Sequence, residues 1–179
     1  QIIDYQDYPV KAAEVSTKKR RSLGIGYIGL AHYLAKNNVK YNEKGAWELV
    51  DRLTEAFQYY LLRASCDIAK EKGKCEGFER TKYADGLLPI DHYKKEIDEI
   101  VPHKQRMAWE SLRKDIAKYG LRHSTLSAQM PSESSSVVSN ETNGIEPPRA
   151  MLQIKKSKKG PLKQIAPGFP KLKNDYTLL

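Results

Sequence analysis

Apolar residues recur every three to four positions from Ala46 to Ile68, through Trp47, Leu49, Val50, Leu53, Ala56, Phe57, Tyr60, Leu61 and Ala64. That spacing lines one stripe of an α-helix and predicts a helix over about 46–72. At 1.5 Å per residue it is ~40 Å long. Gly73 is its stop, after Lys70 and Lys72 have set positive charge against the negative end of the helix dipole. Before it, residues 22–28 have the composition of a strand, and 29–36 read as a short helix closed by Asn37-Asn38. After it, 74–90 form a connection, Asp91 caps a short helix through Ile100, and an amphipathic helix runs from about Gln105 to Tyr119, stopped by Gly120. Ser124 to Met130 reads as a buried strand ending at Pro131, and Ser132 opens a short helix to Asn140. The turn Asn143-Gly144 leads into Glu146-Pro147-Pro148-Arg149, and two short strands, about 150–156 and 162–166, flank a basic turn. Strands alternating with helices predict a helix-rich α/β fold. The expected layout is one segment: an irregular lead-in over 1–21, helices and strands over 22–149, then a basic hairpin and the start of a helix over 150–179.

Composition adds class. With 40% hydrophobic and 30% charged residues among 179, the chain is neither collagen-like nor wholly disordered. No apolar run approaches the ~18 residues that span a bilayer, and no charged-then-apolar leader opens the chain. We expect a cytoplasmic protein with no membrane partner. The chain begins at Gln1 and stops at Leu179 inside an apolar pattern, so the expectation is an internal piece of a longer polypeptide. Two cysteines, Cys66 and Cys75, and four histidines, His32, His92, His103 and His123, sit at no metal-ligand spacing. The expectation is therefore no metal site, structural cysteines and ordinary surface or core histidines.

The net charge of +9 is uneven. Residues 147–179 hold eight Lys or Arg and one Asp, +7, leaving +2 for residues 1–146. Such asymmetry suits a nucleic-acid-binding module, but stacking on bases needs aromatics among the cations, and only Phe169 and Tyr176 are there. A solvated hairpin around Lys155-Lys156-Ser157-Lys158-Lys159-Gly160 is the preferred reading. Gly24-Ile25-Gly26-Tyr27-Ile28-Gly29 spells a dinucleotide fingerprint, yet Lys18-Lys19-Arg20-Arg21 stands where a buried strand should precede it, and the ribose-binding acid ~20 residues on would fall on the long helix. Glycines permitting close strand packing are the better account.

The most informative stretch is Ser124 to Ser136. A strand ending at Pro131, followed by Ser132-Glu133-Ser134-Ser135, offers first-turn amides without helical acceptors together with several hydroxyls, the donors an anion requires. The same residues also fit a serine-rich capped loop with no ligand, because serines favour N-caps.

Several blocks resemble, in order, the large catalytic subunit of class I ribonucleoside-diphosphate reductases, most closely the class Ia form: Asp4-Tyr5-Gln6-Asp7-Tyr8-Pro9, Arg20-Arg21-Ser22-Leu23-Gly24, Leu88-Pro89-Ile90-Asp91, Leu121 to Ala128, Met130 to Ser135 and Asn143 to Arg149. The resemblance implies part of a ten-stranded α/β barrel. It implies an oxidoreductase that replaces the ribose 2′-hydroxyl of ribonucleoside diphosphates with hydrogen through a thiyl radical, supplying deoxyribonucleotides for DNA replication. It also implies that Pro131, Ser132, Glu133, Ser134 and Ser135 hold the substrate diphosphate; Ser134 stands where the family often has threonine. The radical and reducing cysteines belong to motifs outside this chain, and neither Cys66 nor Cys75 falls in one, so no catalytic residue is expected here and the chain alone should be inactive. Implied partners are the rest of the large subunit and a small subunit with a di-iron/tyrosyl radical; a dithiol reductant and ATP/dNTP effectors act on the parent.

Overall fold

The computed structural model describes residues 1–102, 104–157 and 160–179; His103, and Lys158 and Lys159 of the basic turn, lie outside the described residues. The backbone closes two compact units, each built from two stretches of chain: residues 1–25 with 52–128, and residues 26–51 with 129–179. The helices are α1 (Ile2–Tyr5), α2 (Lys11–Arg20), α3 (Leu30–Lys36), α4 (Lys44–Lys72), α5 (Trp109–Tyr119) and α6 (Glu133–Ser139), with strands β1 (Leu152–Ser157) and β2 (Gly160–Ile165). The mixture of helices with a small sheet fits the α/β expectation.

In the first unit, Leu62, Cys66, Cys75, Phe78, Leu88, Trp109, Leu112, Ile116, Leu121 and Leu126 form one buried cluster. From α5 come Trp109, Leu112 and Ile116, spaced three and four apart on one face. The buried residues of α4 in this unit are Glu55, Leu62, Ser65, Cys66 and Ala69, whereas Tyr60, Ala64 and Ile68 of the anticipated stripe are exposed and Phe57 is half-buried. The buried face is thus rotated from the expected one, because two of its members are polar and do not register in an apolar count. Glu55 explains much of this. Its carboxylate accepts the backbone N–H groups of Arg106 (2.8 Å) and Met107 (3.1 Å), the Trp109 indole N–H (3.0 Å) and the Arg106 guanidinium (3.3 Å). With those amides taken, α5 starts at Trp109 rather than at Gln105.

The lead-in expected to be irregular is helical over α1 and α2. No residue of α2 is buried, so no apolar period marks it in the sequence. Its C-terminal carbonyls are satisfied from elsewhere in the unit: Gly77 N–H donates to Lys19 (3.0 Å) and Ser124 N–H to Arg20 (2.9 Å). Arg21 then turns left-handed (φ 49°), and its guanidinium holds the Asp4 carboxyl at about 2. Asp91 does not cap a helix through Ile100. It closes the 3-10 turn Pro89–Asp91, accepting Leu88 N–H at 2.6 Å, and a second 3-10 turn spans Lys95–Glu99.

Two extended stretches pair in parallel in this unit. Leu23 N–H donates to Thr125 (2.9 Å), Ile25 N–H to Leu126 (2.8 Å) and Ala128 N–H to Ile25 (3.1 Å), with a bridge between Ile25 and Ser127. The strand expected over 22–28 is thus reduced to one isolated bridge flanked by single backbone bonds. The stretch from Ser124, expected to be a buried strand, is neither: it carries only the bridge at Ser127, Leu126 alone is buried, and residues 128–130 are exposed. Among the described residues it is paired along one edge only. Cys66 and Cys75 are free thiols, 0% and 2% exposed, and burial pushes both above their ordinary range, as structural cysteines require. His123 is held by Ser65 (Nδ1 to Oγ, 3.0 Å), and burial lowers its pKa.

In the second unit, Ala31 and Ala35 of α3 pack with Ala166 and Tyr176. The expected hairpin is present: β1 and β2 pair antiparallel, with Leu152 opposite Ile165 and Ser157 opposite Gly160. The start of a helix anticipated near the C-terminus is absent. Residues 168–175 instead form successive turns, where Gly168 (φ 73°) and the donor-less Pro170 interrupt helical continuity.

Candidate functional site

The segment from Pro131 to Ser135 lies in the second unit, where an exposed proline leads into α6. Ser132 is its N-cap residue, but its side chain does not cap the helix. Both its N–H (3.1 Å) and its hydroxyl (3.2 Å) are directed to the Asn143 side-chain oxygen. Asn143 in turn donates from Nδ2 to Glu146 (3.2 Å), and its carbonyl accepts Glu146 N–H (2.9 Å). The loop before α6 is therefore pinned to the turn after it. Ser136, fully buried, donates its hydroxyl to the Glu133 carbonyl (2.9 Å), and Asn140 ends the helix in a left-handed conformation.

Once these bonds are assigned, Glu133, Ser134 and Ser135 are left with exposed side chains and with first-turn amides that meet no protein acceptor among the described residues. The other short helix of this unit differs. Ahead of α3, Gly29 N–H donates to Thr142 (3.0 Å) and Leu30 N–H to Gly144 (3.2 Å), so the 142–144 turn consumes those donors. Of the residues singled out in the sequence, Ser134 and Ser135 present free hydroxyls beside free amides, whereas the Ser132 hydroxyl is engaged internally. Sequence reasoning recognised Asn143-Gly144 only as a turn and missed Asn143 as the anchor of Ser132.

Gly29, last glycine of the dinucleotide-like run, has a different use. It sits at φ +79°, and a Cβ there would come 2.7 Å from Glu141 Oε2. That carboxylate bonds His32 Nδ1 at 2.8 Å, so His32 is a satisfied, buried histidine. The glycine lets the backbone pass over the His32–Glu141 pair. Gly29→Ala is expected to lower stability by about 1–3 kcal/mol, the cost of one strained conformation, read as a shifted urea midpoint at unchanged slope. Among the described residues, no group of three or more His, Cys, Asp or Glu could hold a metal ion, and no helix is long and apolar enough to cross a membrane.

Residues 1–177 match the family described as "Ribonucleotide reductase, barrel domain". The chain belongs to that family. It is 56% identical over 178 residues to the ribonucleoside-diphosphate reductase subunit alpha of Buchnera aphidicola subsp. Baizongia pistaciae, covering 99% of this chain and 23% of that protein. It is 57% identical to the subunit alpha of Haemophilus influenzae, over 99% of this chain and 24% of that one. To the "1 subunit alpha" of Escherichia coli K12 it is 52% identical, over 99% of this chain and 23% of that one. The chain thus spans about a quarter of the length of the curated relatives it matches.

Proposed function

We propose that the chain is part of the large subunit of a class I ribonucleoside-diphosphate reductase and contributes the loop that holds the substrate diphosphate. In this reading the parent enzyme reduces ribonucleoside diphosphates to 2′-deoxyribonucleoside diphosphates in the cytoplasm, with a radical-generating small subunit, a dithiol reductant and nucleotide effectors. The chain forms part of a ten-stranded barrel, and the parallel pairing of Leu23–Ile25 with Thr125–Ala128 is consistent with two of its strands. The observation that carries the proposal is the family match across residues 1–177, joined to the free amides and hydroxyls of Ser134 and Ser135 within the block that resembles the family's phosphate loop. Pro131 and Ser132 would shape the loop, while Glu133, Ser134 and Ser135 would donate amides. An anion bound there needs no added metal, because fixed N–H and O–H donors supply the positive field. The rival nucleic-acid reading has no support from the relatives.

Titrating pyrophosphate into the chain while following backbone amide resonances tests the loop. The largest shifts are expected at residues 132–136, with affinity near the millimolar range of an open half-site. Largest shifts at 24–29 or on the hairpin at 155–157 would remove the assignment.

A further inference from the structure

The first unit contains a cleft of about 770 Å³ between α2 and the connection over residues 77–92. Its lining is chemically one-sided. Lys11, Lys19, Arg20, Arg80 and Lys82 supply five cations, His92 a titratable ring and Ser16, Thr81, Ser124 and Thr125 hydroxyls, yet no Asp or Glu lines it. Most of the positive charge is uncompensated. Lys11 pairs with Glu14, but the side chains of Lys19, Arg20, Arg80, Lys82 and His92 make no ion pair or hydrogen bond among the described residues.

The rest of the lining is apolar. Buried Leu88 and half-buried Tyr83 and Pro89 lie on one side, and Val15 and Ala12 of α2 on the other. The walls are fixed by backbone contacts. Gly77 and Ser124 donate to the last carbonyls of α2, and at Gly77 even a Cβ would stand 3.4 Å from the Lys19 carbonyl oxygen. Those bonds also consume carbonyls that would otherwise set negative charge beside the cations.

We propose that this cleft binds a small phosphorylated organic anion with an apolar or aromatic body. Like charges gathered without counter-charges repel one another, and an anion relieves that repulsion. The volume lies within the ~300–1,000 Å³ of ordinary small-molecule sites, which combine apolar walls with a few polar groups. A bare phosphate would leave the Tyr83–Leu88–Pro89 wall unused; an attached ring would cover it. The site lies in the first unit and is independent of the loop at residues 131–135.

The test uses the intact 179-residue chain, with 1-naphthyl phosphate and inorganic phosphate as probes and amide resonances as the readout. Naphthyl phosphate is expected to shift residues 15–20 and 80–92 most, and to bind several-fold more tightly than inorganic phosphate. The double variant R80E/K82E lies on an exposed connection outside the buried cluster, and far-UV circular dichroism checks its fold. It should weaken naphthyl phosphate about tenfold, in line with loss of charged hydrogen bonds, while leaving pyrophosphate shifts at 132–136 intact. Ser135→Ala should do the reverse. Equal affinity for the two phosphates, shifts confined to 131–136 or to the hairpin, or an unchanged affinity in R80E/K82E would each overturn the proposal.

Discussion

Replacing Glu55 with leucine is expected to destabilise the chain by about 3–5 kcal/mol, the usual cost of removing one partner from a buried, hydrogen-bonded charge pair. Glu55 is 5% exposed and receives four N–H donors from Arg106, Met107 and Trp109. Leucine fills the volume but strands two backbone amides and an indole N–H away from water. Glu55→Gln keeps one acceptor oxygen for the two backbone amides and the indole and should cost less, about 1–2 kcal/mol, the charge and the bond from the Arg106 guanidinium being what is lost. Burial alone would push the carboxyl up, but the donors from Arg106, Trp109 and Met107 outweigh it and hold the folded pKa below the ordinary 4.5. A depressed carboxyl contributes stability that is present above its ordinary value and lost as pH falls through the folded one. The gap between wild type and Glu55→Leu in urea melts should therefore be widest near neutrality and narrow below about pH 4. A loss under ~1 kcal/mol at neutral pH would mean the carboxylate is merely tolerated.

In the full-length subunit, Ser134→Ala and Ser135→Ala are each expected to raise the dissociation constant of the diphosphate substrate. A hydrogen bond to a charged group contributes about 1.5–3 kcal/mol, which corresponds to roughly ten- to a hundredfold. Ser132→Ala should act differently. Its hydroxyl is given to Asn143, so the variant loosens the loop and should lower thermal stability together with affinity. Ser135→Pro removes an amide and a hydroxyl at once, yet the first helical turn tolerates proline because that N–H has no intrahelical acceptor. It should exceed the alanine variant in binding loss with little change in helix content. Substrate binding within twofold of wild type for both Ser135 variants would show that the loop does not touch the diphosphate.

Periodicity made α4 and α5 legible, and turn residues located the ends of α3, α4 and α5: Asn37, Gly73 and Gly120 all stand where those helices stop. What escaped it is polar and long-range. No apolar stripe marks α2, whose end is satisfied by residues about 60 and 100 positions away. The buried face of α4 was misjudged because Glu55 and Ser65 belong to it, and a buried carboxylate is visible only with its donors in place. At the loop, residue types pointed to Ser132 as a cap; its true acceptor, Asn143, is eleven residues downstream. Likewise, the glycines of 24–29 were read as aids to close strand packing, whereas Gly29 turns left-handed ahead of α3 and makes room for the Glu141 carboxylate, which no residue type announces.

The threading of the chain has a consequence for how the protein comes to be folded. Residues 1–25 find their unit partners only in 52–128, and residues 26–51 only in 129–179. Within this stretch of chain, residues 1–25 meet the rest of their unit only after the second unit's leading piece has been made. That leading piece, α3 included, then waits through about another hundred residues before Thr142 and Gly144 arrive to take its amides. Contacts of such high sequence separation fold slowly, since loop closure must precede any reward. The interleaving therefore sets an order within this stretch: the first unit has all its parts once residue 128 is made, and the serine loop can be pinned once Asn143 and Glu146 follow.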